Sequence, residues 1–215
     1  MTMNRPNAAL IAQLTEDLQP VRAMKARDGL LLAALAGAIT VLAVWLAADL
    51  WEGVVTGEAS PFFFVTNGLL LVLGLAAVAA TVALASPSVG NRQDAPKWSM
   101  AMVAILPLTA VVTVLASGTG LAALMDPYSL HCLTAATGAS ALTFVALTYW
   151  LRRGAPVSVQ TAGLFAGVAS GAIGSFAYGL SCPIDGVAHL GLWHVLPVAI
   201  TGLVGRTILP RLIRW

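Results

Sequence analysis

The sequence predicts an all-α, polytopic membrane bundle of six transmembrane helices, preceded by a short cytoplasmic amphipathic helix, with both termini cytoplasmic. Composition carries the first part of that expectation. The 215-residue chain is 59% hydrophobic and only 9% charged, with a mean hydropathy of +0.88, whereas soluble domains carry about 25% charged residues. Run length carries the second. Six apolar stretches, at 29–50, 62–85, 98–116, 133–151, 157–180 and 188–209, each approach the roughly 20 residues needed to cross a hydrocarbon core. None shows the strict alternation of a membrane β-barrel strand.

Charge distribution supplies the third observation. Arg5, Arg22, Lys25 and Arg27 precede the first run, Arg92 and Lys97 join the second to the third, Arg152 and Arg153 join the fourth to the fifth, and Arg206, Arg211 and Arg214 follow the sixth. The alternate connections hold no lysine or arginine and carry Asp49, Glu52, Glu58, Asp126 and Asp185 instead. Basic residues are retained on the cytoplasmic side, so the chain is predicted to be inside at both ends. The first run follows a polar segment and lacks a small-x-small cleavage pattern, so it is read as a helix and not as a signal peptide. Basic residues scattered as flanks form no stripe for nucleic acid, and no direct nucleic-acid contact is expected.

Two parts are expected: a cytoplasmic arm over 1–28 and a six-helix domain over 29–215. In the arm, Leu10, Ile11, Leu14 and Leu18 recur at helical spacing, with Asn7 placed as an N-cap and Pro20 limiting the helix. A helix lying on a membrane presents lysine and arginine on its polar face. This one presents Gln13, Glu16, Asp17 and Gln19. An apolar stripe edged with acid suits a groove on a basic protein partner, and docking on the bundle's own loops is the alternative.

Within the spans, the fifth run carries Gly163, Gly167, Gly171, Ser175 and Gly179, a small-xxx-small stripe that lets helices approach closely. It packs the bundle internally or forms a homodimer seam. Pro107 and Pro197 are expected to kink the third and sixth helices. No Asp, Glu, Lys or Arg falls near the middle of a run, and no run reads as discontinuous. Both points speak against a small-solute or metal transporter. Phosphate-loop, Ser/His/Asp and His-Glu-x-x-His patterns are absent from the sequence, and the chain is not expected to be an enzyme.

The chemistry-bearing residues collect on the predicted outer side. The fourth and fifth runs form a hairpin through residues 152–156, which brings their far ends, and so Cys132 and Cys182, together. Three readings of the pair stand side by side: a structural disulfide or two buried thiols, a redox switch beside His131, and a metal site in which Cys132 and Cys182 combine with His189 and with His131 or His194 to take Zn²⁺, Cu or Cd²⁺. Spacing argues against the last, because His189 and His194 are five residues apart and fall on different faces of a continuous helix. His194 follows Trp193 and has an interfacial reading as well. A quinone-linked membrane thiol oxidoreductase is the rival reading. Against it, that chemistry ordinarily uses a second cysteine pair or a Cys-x-x-Cys.

The arm from Leu10 to Arg22, six helices of this length, Cys132 opening the fourth, and Cys182-Pro183 followed by Trp193 together resemble the NrsF-like membrane anti-sigma factors over essentially the whole chain. The resemblance implies a bacterial inner-membrane protein that sequesters an extracytoplasmic-function sigma factor and releases it on a periplasmic metal or oxidative signal. By that likeness Leu10, Ile11, Leu14, Leu18, Pro20 and Val21, with Glu16 and Asp17, contact the sigma factor, and Cys132 and Cys182 are the sensing pair. No cofactor is implied beyond a transition-metal ion acting as the signal.

Overall fold

The computed structural model describes residues 5–16, 24–87, 90 and 93–213, and every regular element among them is helical. In chain order these are α1 (Arg5–Glu16), α2 (Ala26–Ala48), α3 (Glu52–Thr56), α4 (Pro61–Leu84), α5 (Ala95–Ser117), a 3-10 turn (Leu121–Leu124), α6 (Ser129–Ala139), α7 (Ala141–Arg153), α8 (Val159–Gly179), α9 (Val187–Trp193), α10 (Leu196–Thr207) and α11 (Leu209–Leu212). Six stretches are long and apolar enough to cross a membrane: α2, α4, α5, Leu121–Arg153, α8 and Val187–Thr207. They coincide with the six apolar runs to within a few residues, apart from an earlier start to the fourth.

Three details differ from the sequence expectation. Asn7 lies inside α1 instead of capping it, since the helix begins at Arg5 and a proline such as Pro6 is accepted in a first turn, where its missing N–H is not needed. The fourth span is interrupted at Ser140, whose hydroxyl donates to Thr137 O at 2.6 Å and whose N–H is shared between Ala136 O and Thr137 O. The bend follows from close packing on α8: a Cβ at Gly174 would stand 2.6 Å from Ser140 N and 2.7 Å from Ala136 O. The sixth span is broken outright at His194 and Val195, between α9 and α10. Pro197 in the first turn of α10 has no N–H, and its ring excludes a continuous helix through the preceding turn. The expected kink is therefore a break, and the expectation of six uninterrupted helices is corrected at two places.

Around α8 the bundle is closed on every side, by α10, α4, α6, α7 and α2, and nearly all of its residues from Ala162 onward are buried. Side-chain size explains why α8 takes the centre. A Cβ at Gly163 would collide with Gly205 O, one at Gly167 with Thr201 O, and one at Gly171 with Thr201 Oγ1. The glycines thus let α10 lie backbone against backbone along α8, a contact that larger residues prevent. That face of α8 is occupied within the chain, which leaves no surface there for the homodimer seam. At the periphery, Leu31, Leu35 and Leu46 on α2 and Ile105, Leu108 and Leu115 on α5 stay exposed, an apolar surface suited to lipid.

Candidate thiol and imidazole site

One end of the bundle gathers the start of α4, the start of α6, the end of α8 and α9, and local hydrogen bonds fix each. Ser60 caps α4 by accepting the Phe63 N–H at 3.1 Å. Its own N–H and hydroxyl donate to the two carboxylate oxygens of Asp185, each at 2.7 Å. Trp51 N–H donates to Leu180 O at 3.1 Å. These contacts clamp the segment after α8, where Cys182 N–H closes a turn on Gly179 O and Pro183 prevents further helix. On the other side, Trp193 Nε1–H donates to Leu124 O at 2.7 Å, holding α9 to the connection before α6. That connection ends in a tight turn: Asp126 Oδ1 accepts the Tyr128 N–H at 2.8 Å, and Asp126 N–H donates to Ser129 Oγ at 2.9 Å.

These constraints deliver four side chains to one point. Cys132, one turn into α6, places its Sγ 3.7 Å from Cys182 Sγ. Cys182 Sγ is 3.5 Å from His189 Nε2. His189 Nδ1 is 2.6 Å from Asp126 Oδ2, so with an ionised carboxylate Nδ1 carries the proton and donates it. The His194 ring lies 5.4 Å from the His189 ring and stacks on Tyr178 at 6.3 Å. One donor atom from each of Cys132, Cys182, His189 and His194 falls within 4.8 Å of all the others. All four side chains are buried, His194 to 1% exposure, and neither of its ring nitrogens has a hydrogen-bond partner. The hydrogen bond with Cys132, and then burial, push the Cys182 thiol up from its ordinary range.

The structure brings together Cys132 and Cys182, as the hairpin argument requires, and also His189 and His194, which the spacing argument had separated. The break before α10 is the reason: residue 194 no longer continues the α9 helix, so its ring swings beside His189. His131 is excluded. It is exposed, with its ring 6.0 Å from that of Tyr178, and it lines a groove of about 530 Å³ with Thr40, Ala47, Gly138 and Leu142. Asp126 was absent from the candidate set, appearing only as one of several acids on that side. Its position six residues before Cys132, in a turn opening a helix, is the one local signal that marks it. Next to the site, Gly179 faces Asn67 Oδ1 and His194 Nδ1, and Asn67 Oδ1 is buried without a partner.

In the arm, Leu10, Ile11 and Leu14 of α1 are all more than half exposed, and Glu16 ends the helix. Asp17, Leu18, Pro20 and Val21 lie outside the described residues.

A profile described as negative regulator of sigma F, NrsF, matches residues 14–215. The chain belongs to the NrsF family. That match takes in the whole six-span bundle, the thiol and imidazole site, and the arm from Leu14 onward, leaving Leu10 and Ile11 outside it. A curated NrsF protein from Azospira oryzae, named "Probable anti-sigma-F factor NrsF", is 32% identical over 72 residues, 34% of each chain. The two chains thus align over about a third of the relative's length. No solved structure matches. By its description the family is one of negative regulators of a sigma factor.

Proposed function

We propose that this chain is a membrane anti-sigma factor that holds an extracytoplasmic-function sigma factor at the bacterial inner membrane through its N-terminal arm, and releases it when a periplasmic metal or oxidant reaches Cys132 and Cys182. The observation that carries the reading is the NrsF match running without interruption from the arm through the buried thiol pair. Supporting it are an arm helix whose apolar side chains Leu10, Ile11 and Leu14 remain uncovered, and an acidic flank that complements a basic, DNA-engaging partner. By the family likeness Leu18, Pro20 and Val21, with Glu16 and Asp17, belong to the same sigma-contacting segment of the sequence.

The basic flanks support a cytoplasmic arm and cytoplasmic termini, which would put the thiol site across about 30 Å of hydrocarbon. α10 leads from the site toward the other end of the bundle. His194 occupies the break from which α10 starts, and α10 runs back along the glycine face of α8 to Arg206. A change at the site therefore acts on the N-terminal end of a helix packed rigidly enough to transmit a shift to its other end.

The deciding experiment is affinity capture of the tagged full chain from its native membrane, beside a version lacking residues 2–19. Recovery of one sigma factor that is lost on deletion is the expected result. Recovery of none from gently solubilised, unstressed cells, or undiminished recovery by the truncated chain, would overturn the reading.

A further inference from the structure

We propose that Cys132, Cys182, His189 and His194 form a closed four-coordinate site for a thiophilic d¹⁰ divalent cation, Zn²⁺ or Cd²⁺, with Asp126 orienting His189 for ligation. The regulatory meaning of this site rests on the reading above, whereas its geometry stands without it.

Two of the six separations between the ligand atoms match a tetrahedron, and all six are within 4.8 Å. With metal–sulfur bonds of about 2.3 Å and metal–nitrogen bonds of about 2.0 Å, tetrahedral angles put two sulfurs about 3.8 Å apart and a sulfur and a nitrogen about 3.5 Å apart. The observed separations are 3.7 Å for Cys132 Sγ to Cys182 Sγ and 3.5 Å for Cys182 Sγ to His189 Nε2. A two-sulfur, two-nitrogen tetrahedral set is the preference of Zn²⁺ and of ions like it.

His194 is the independent observation. A buried imidazole with no partner at either nitrogen bears the whole desolvation cost of two polar atoms. Coordination of the ion by one nitrogen removes half of that cost. The other nitrogen, if Nδ1, faces the Asn67 Oδ1 side of Gly179, where a second unpartnered polar atom waits.

Charge points the same way. Binding converts two thiols into thiolates and releases two protons to solvent, with no change of oxidation state. The resulting set of one dication, two thiolates and two neutral imidazoles is electrically neutral, which suits a buried site at the end of an apolar bundle. Asp126 stays outside the coordination sphere and accepts the Nδ1–H of His189, which leaves Nε2 unprotonated and turned toward the sulfurs, the carboxylate–histidine–metal arrangement common in zinc proteins. Its side chain is 30% exposed, so a carboxylate marks the rim where an ion would enter.

The test uses the purified, reduced full chain in nanodiscs, with Co²⁺ as a spectroscopic stand-in and Zn²⁺ and Cd²⁺ as competitors. The expected result is one Co²⁺ per chain, with tetrahedral ligand-field bands and a thiolate charge-transfer band, displaced stoichiometrically by Zn²⁺. Cys182→Ser should weaken the charge-transfer band. His194→Ala and His189→Ala should each lower affinity by at least about tenfold, and His131→Ala should change nothing. Circular dichroism identifies any variant that fails to fold, and the Cys182→Ser and His194→Gln forms serve as the conservative second set. An octahedral or absent spectrum, binding indifferent to His189 and His194, or loss of binding in His131→Ala would overturn the site. A tetrahedral spectrum with no sigma factor captured would sink the regulator reading alone, and capture without the spectrum would sink the metal site alone.

Discussion

His189 Nδ1 and Asp126 Oδ2 lie 2.6 Å apart although 63 residues separate them in the chain. The bond ties the sixth span to the turn that opens the fourth. Asp126 uses its other oxygen for the Tyr128 N–H, so the carboxylate that orients the imidazole is itself held by backbone. Its replacement is therefore informative. Asp126→Asn keeps the shape and removes the charge, and metal affinity should fall by about 10- to 100-fold with unchanged stoichiometry. Chelator competition with Cd²⁺ measures this, and an unaltered affinity would show that His189 needs no orienting partner.

Ser60 supports the loop that carries Cys182. Ser60→Ala loses the hydrogen bond to Asp185 Oδ1 and the cap on Phe63 N–H, at a cost of about 1–2 kcal/mol. The loosened loop should expose Cys182, and its alkylation by a maleimide should accelerate relative to wild type. An identical rate would mean that the remaining bonds, Ser60 N–H to Asp185 Oδ2 and Trp51 N–H to Leu180 O, hold the segment.

Two glycines separate tight packing from spare room. A Cβ at Gly167 would meet Thr201 C at 2.7 Å and Gly202 Cα at 2.9 Å, both backbone atoms, so Gly167→Ala should destabilise the bundle by about 1–3 kcal/mol. At Gly37 the nearest atom would be Ile173 Cγ2 at an ordinary 3.6 Å. Gly37→Ala is expected to be neutral or to stabilise α2 by up to about 1 kcal/mol. Thermal unfolding of the two purified variants side by side reads the difference.

On the arm, Leu14 is 62% exposed and contributes little to the bundle. Leu14→Glu should leave the melting temperature in place while weakening sigma-factor capture by about 30-fold or more, the effect of losing a buried anchor worth about 2 kcal/mol. A pull-down titration supplies the number, and undiminished capture would move the contact to another face of the arm.

Much of the fold was legible in the chain because the bilayer imposes a length. Runs of about 20 apolar residues locate the spans whatever packs beside them, and the described helices coincide with those runs. The convergence of Cys132 and Cys182 was equally legible, since a short turn forces the fourth and fifth spans to lie antiparallel and bring their far ends together. Interruptions were harder to read. Ser140 gives no composition signal, and its bend arises from the approach of Gly174 on another helix.

What the sequence determined by itself, then, is the number and extent of the spans, the meeting of the two thiols and the amphipathic character of the arm, all consequences of local composition and chain connectivity. The tertiary structure decided which histidines join the thiols. Periodicity assumes a continuous helix, and on that assumption His189 and His194 diverge; packing around Pro197 ends α9 at Trp193 and turns His194 inward. It likewise chose Asp126 among the acids, since a partner 63 residues away leaves no trace in local pattern. It also gave the glycine face of α8 to α10, because only three-dimensional packing determines which of several small-residue contacts is occupied.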